Sequence, residues 1–114
     1  MESSLLTLEN NRFHLHARDG IRAVRIDRLV AENGQPFTHE LGLSLNVTDE
    51  DNLVLWSEEL ASFVKSDTPN EAHINREFAI WEGLTIGINR SDESTILPEK
   101  DVLLRLCYTL NPAS

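Results

Sequence analysis

At 114 residues, with 40% apolar and 25% charged side chains, the chain reads as one domain over 1–114 with enough apolar content for a core, which argues against wholesale disorder. Its net charge of −9 argues against nucleic acid and anionic membranes as partners, since phosphate backbones are held mainly by basic side chains. A single cysteine, Cys107, excludes an internal disulfide and a cysteine-based zinc site.

Ser3–Leu8 is mildly apolar and reads as a first edge strand or a lead-in. Glu9-Asn10-Asn11 reads as a turn, because asparagine tolerates positive φ. Arg12 to Arg18 alternates, with Phe13, Leu15 and Ala17 on one parity and Arg12, His14, His16 and Arg18 on the other. Asp19-Gly20 is a favoured two-residue hairpin turn. It leads into Ile21–Ala31, where Val24, Ile26 and Val30 share a parity that Arg28 interrupts, a fault expected of a bulge or an early strand end. Asn33-Gly34-Gln35-Pro36 supplies a second turn. Phe37–Val47 then places Phe37, His39, Leu41, Leu43, Leu45 and Val47 on one side, the period-two pattern of a half-buried strand. Residues 12–47 therefore predict a three-stranded meander around an eleven-residue strand.

Thr48-Asp49-Glu50-Asp51 has the chemistry of a helix start, with a threonine cap and acids in the first turn. Leu53, Trp56, Leu60, Phe63 and Val64 recur at helical spacing, which predicts an amphipathic helix to about Lys65. Val54 and Leu55 lie off that stripe. Ser66–Asn70 holds Pro69 and reads as a loop, and Glu71–Phe78 is ambiguous between helix and strand. Ile80–Ile88 is strand-like with Leu84, Ile86 and Ile88 on one parity. Gly83 and Gly87 on the other allow a bulge or a close approach to the backbone. Asn89–Asp101 is polar and reads as a loop. Val102–Leu110 completes the sheet, with Val102, Leu104, Leu106, Tyr108 and Leu110 inward. Leu103, Arg105, Cys107 and Thr109 form a second face of mixed polarity, suited to partial cover by a second subunit.

The predicted fold is α+β, a mostly antiparallel five- to six-stranded sheet in the order β-β-β-α-β-β with one amphipathic helix packed on one face. No apolar run reaches the ~18 residues of a membrane span. The start, Met-Glu-Ser-Ser-Leu-Leu, lacks the basic and apolar regions of a signal peptide, so a cytoplasmic location is expected.

Charge is unevenly placed. Residues 1–47 carry net −1 and residues 48–114 net −8. The acids Asp49, Glu50, Asp51, Glu58, Glu59, Asp92 and Glu93 are candidates for binding a basic protein partner. Arg12, His14, His16 and Arg18, with Arg22 and Arg25 on the strand expected to pair with theirs, form a candidate anion-binding patch. A solvated strand face neutralised by nearby acids accounts for the same residues. His14 and His16 lack an evident third metal ligand beyond His39 or Glu40. Asp49–Leu60 fails as a calcium loop, with Val54 and Leu60 where glycine and glutamate belong. Glu58, Glu59, Glu71, Glu77 and Glu82 have no fixed separation that would mark an acid–base pair. Cys107 sits mid-strand and reads as a packed thiol. Trp56 and Trp81 read as core or interface anchors. No nucleophile elbow, phosphate loop or metalloprotease motif is present, so no catalytic residue, metal or cofactor is expected.

Asn11-Arg12-Phe13-His14, Gly20-Ile21-Arg22 and Gly83-Leu84-Thr85 together resemble the small acidic antitoxins of the bacterial cytoskeleton-targeting toxin–antitoxin family. The element order with its central helix is similar to acidic type III secretion chaperones, which are homodimers ending in an amphipathic helix where this chain ends in a strand. The lopsided charge and the absence of a catalytic constellation lead to the expectation of a non-catalytic inhibitor, immunity protein or antitoxin that neutralises a basic protein. The alternative is a homodimeric chaperone or assembly protein, and a third reading is a small ligand-binding protein or enzyme using the His14–His16–Arg18 row.

Overall fold

Alternation of apolar and polar side chains, rather than helical spacing, governs nearly the whole chain. The computed structural model describes residues 2–7, 10–17, 21–32, 34, 36–38, 42–90 and 103–112. Among them run nine strands: β1 (Glu2–Thr7), β2 (Arg12–His16), β3 (Ile21–Ala31), β4 (Leu43–Asp49), β5 (Val54–Glu59), β6 (Val64–Lys65), β7 (Thr68–Ala79), β8 (Gly83–Arg90) and β9 (Leu103–Pro112). They form two antiparallel sheets, one ordered β1-β9-β3-β7-β6 and the other β2-β8-β4-β5. The molecule is a β-sandwich. The α+β expectation is overturned.

The predicted helix over Thr48–Lys65 is instead a hairpin and a corner. β4 turns at Asp49–Leu53 into β5, and a 3-10 turn at Leu60–Phe63 carries the chain into β6 on the opposite sheet. Trp56 and Phe63 pack against the core and Leu60 is fully buried, while Leu53, Val54 and Leu55 are exposed. A short strand followed by a corner thus reproduces helical spacing by chance. The resemblance to secretion chaperones, which rested on a central helix, loses its basis. Among the described residues no helix is long and apolar enough to cross a membrane.

The meander is also revised. β2 pairs with β8, and β3 pairs with β7 and β9, so the two strands belong to different sheets. Of the long strand expected at Phe37–Val47, residues 43–47 belong to β4, which follows Gly42 at φ 67°, and residues 39–41 lie outside the described residues. Phe37 is nevertheless buried, and its amide donates to the Pro69 carbonyl at 2.8 Å. The ambiguous Glu71–Phe78 is part of β7.

Other expectations hold. Leu84, Ile86 and Ile88 face the core, as do Leu104, Leu106 and Tyr108. The fault at Arg28 is a bulge, since the register of β3 against both neighbours shifts between Ile26 and Arg28. Across it the inward parity changes, so Leu29 and Ala31 are buried in place of Val30. Asp27 in the bulge accepts hydrogen bonds from Arg25 Nε at 2.7 Å and Thr109 Oγ1 at 2.8 Å. On β7 the matching irregularity contains Asn75, at φ 50°.

The core lies between the sheets. Leu45, Val47, Ile86 and Ile88 from one meet Val24, Ile26, Leu29, Leu104 and Leu106 from the other. Burying each such aliphatic side chain contributes about 1.5–3 kcal/mol. Phe13 and Tyr108 bridge the sheets near one edge, with ring centroids 5.0 Å apart.

Candidate functional site

Two turns build one end of the sandwich. β4 and β8 pair with Asp49 opposite Leu84. The β4–β5 turn therefore lies beside Trp81-Glu82, which joins β7 to β8. Asp49 Oδ1 accepts the amides of Asp51 at 2.9 Å and Leu53 at 2.8 Å. Asn52 adopts φ 63° and its amide donates to the Asp49 carbonyl at 3.1 Å. An aspartate that can accept two amides suits a helix cap and an Asx-type turn equally, which is why the sequence misleads here.

This turn holds Glu50 against Glu82. The Glu50 carboxyl is held above its ordinary value of 4.5, by loss of surrounding water, by a hydrogen bond with Glu82 and by the charges of Glu82, Asp51 and Asp49. Asp49, Glu50, Asp51 and Glu82 are thus one acidic cluster. His16 stands close by: a Cβ added to Gly83 would lie 3.6 Å from Glu50 Cβ and 3.8 Å from His16 Nδ1. The hollow among these groups, His14 and Thr85 has a volume of about 430 Å³, in the range of small-ligand sites (roughly 300–1,000 Å³). Its charged walls are largely open to water, unlike the apolar lining of such sites.

Apolar surface borders the acids. Trp81 is 85% exposed, Leu53 63% and Val54 58%. Exposed large apolar side chains next to charged ones are the mark of interaction surfaces. Of the two tryptophans, Trp56 is the core anchor, with ring centroids 5.6 Å from Phe63 and 6.0 Å from Phe78. Arg76 lies over its ring at 5.6 Å.

Glu58 and Glu59 sit at the far end of β5, roughly 13 to 16 Å from Val54 at about 3.3 Å per residue. They extend the acidic surface along an edge strand rather than joining the cluster. Asp92 and Glu93 lie outside the described residues, as do Arg18, His39 and Glu40.

The candidate anion patch divides. Arg12, His14 and His16 project from the outer face of β2, with His14 Nδ1 hydrogen-bonded to Thr85 Oγ1 at 2.8 Å. Arg22 and Arg25 are on β3 in the other sheet, where Arg25 pairs with Asp27. The expected pairing that would have joined the two groups does not form. Among the described residues no three histidine, cysteine, aspartate or glutamate side chains converge to hold a metal ion. Cys107 is buried mid-strand in β9. Glu82 and the exposed Leu53 and Val54 are the members of the site that sequence reasoning missed. Val54 and Leu55, off the supposed helical stripe, were the one available signal.

No protein-family model matches the chain, and no curated protein matches it by sequence. Among solved structures it is similar to the Drosophila NLP-core, with a TM-score of 0.57 and 8% identity over 98% of this chain and 96% of that one. That structure is described as providing insight into pentamer formation and histone binding. At this identity the likeness shows the fold, an architecture shared across nearly the whole length of both chains.

Proposed function

We propose that this chain is a non-catalytic docking protein of the assembly or chaperone type, which binds a lysine- and arginine-rich protein at the turn end of its sandwich. The observation that carries this reading is the acidic cluster of Glu50, Asp51, Glu82 and Asp49 beside exposed Trp81, Leu53 and Val54. Crowded carboxylates attract cationic side chains, and the apolar rim supplies area to desolvate. An assembly role is favoured over an antagonist because the fold is shared with a core studied for histone binding and pentamer formation. A histone-like basic protein is accordingly the class of partner proposed, with self-association of the chain as part of the same reading.

The test is fluorescence anisotropy with a labelled lysine- and arginine-rich peptide, comparing the natural chain with a triple E50Q, D51N, E82Q variant. Asp49 is left in place because it holds the turn. Binding that weakens with added salt and falls at least tenfold in the variant supports the reading. Absence of binding, or binding indifferent to both salt and the variant, overturns it.

A further inference from the structure

We propose that β5 is a strand-addition site, pairing its open edge with an extended basic segment of the partner. This rests on the docking reading above and assigns it a binding mode. In the sheet ordered β2-β8-β4-β5, β5 has a strand neighbour on one side only among the described residues. Its Val54, Leu55, Ser57 and Glu58 are all exposed, while Trp56 packs against the core and holds the strand on the sandwich. An edge strand presents unpaired N–H and C=O groups on its open side, a ready template for an incoming strand.

The register of β5 against β4 shifts at one point, where Val47 pairs with Trp56 and Thr48 with Val54. Leu55 is the extra residue. Beyond this bulge, Trp56 to Glu59 pairs regularly with Val47 to Ser44, leaving a straight four-residue stretch for an incoming strand. Charge selects the occupant. Glu58 and Glu59 at one end of β5, and Asp49, Glu50 and Asp51 at the other, repel a second copy of the same edge, since like charges facing each other across a strand pair are destabilising. The same acids attract a segment with lysines or arginines at alternate positions, whose intervening apolar side chains would meet Val54 and Leu55. Strand pairing gives the contact its affinity, and the flanking acids give it selectivity.

The experiment uses the full chain and two soluble peptides of equal length and charge, one alternating lysine with valine and one alternating lysine with proline. Proline removes the backbone donors that strand pairing requires. The expected result is at least tenfold tighter binding of the lysine–valine peptide, with slowed hydrogen exchange at amides 54–59. Equal binding of both peptides without protection of β5 overturns strand addition and leaves the docking reading intact. Binding of neither peptide defeats both. Protection of β5 without peptide, rising with protein concentration, overturns the assignment of the occupant in favour of a second copy. As a further check, E58K should weaken the lysine–valine peptide severalfold at unchanged thermal stability. Unchanged affinity would overturn the role given to the flanking charge.

Discussion

Asp49 and Asn52 define the turn that presents the acidic cluster. Asp49 contributes a carboxylate oxygen shared by two amides, so Asp49→Ala should destabilise the fold by about 1 kcal/mol, the scale of a lost cap. Asn52 occupies the left-handed region at φ 63°. Asn52→Ala should cost roughly 1 kcal/mol there and Asn52→Gly nearly nothing; urea unfolding of the three variants distinguishes these outcomes. Glu50 tests the electrostatics. A carboxyl whose folded pKa is raised contributes stability below its unfolded pKa and loses that contribution as pH rises through the folded value. Glu50→Gln should therefore raise the melting temperature at about pH 7 and leave it unchanged at about pH 3.5, where both states hold the proton. An equal effect at both pH values would show that Glu82, Asp49 and Asp51 do not crowd Glu50.

Strands were legible where alternation survives without interruption. Arg12–Ala17, Leu84–Ile88 and Leu104–Tyr108 each declare an inward face, and each faces inward as read. Which strand lies beside which was not legible, because pairing is a contact between distant residues that leaves no local mark. Asp19-Gly20 carries the chemistry of a hairpin turn, yet β2 and β3 on either side of it enter different sheets. The stretch at Thr48–Lys65 misled for another reason, since its cap-like acids and its spacing both have a second physical solution as hairpin and corner. Glu82 was invisible as a site member until β4 and β8 were known to be neighbours. Two measurements check the revised elements. Far-UV circular dichroism should show a β-type spectrum without the paired minima of a helix. Ile86→Ala, which empties a fully buried position on β8, should cost about 2–5 kcal/mol in denaturant unfolding.

Taken as a whole, the molecule separates its stability from its charge. The aliphatic core joins the two sheets, and the acidic cluster occupies exposed turns at one end. The proposed docking of a basic partner should accordingly be tunable without loss of the fold: raising salt shortens the Debye length from about 8 Å at 0.15 M and should weaken that binding with little change in melting temperature. Light scattering across a concentration series should show an assembly larger than one chain if the proposed self-association holds.

The placement of β9 between β1 and β3 also governs how the protein is made. On the ribosome, β1 and β3 emerge as strands whose shared neighbour has not yet been synthesised. At about 5–20 residues per second, the stretch from Ala31 to Leu103 takes roughly 4 to 14 s to translate. Throughout that interval the flanks of Leu6, Val24 and Leu29 that β9 will cover have no partner from it. The nascent chain is thus most vulnerable to capture or aggregation in the seconds before this interior strand arrives.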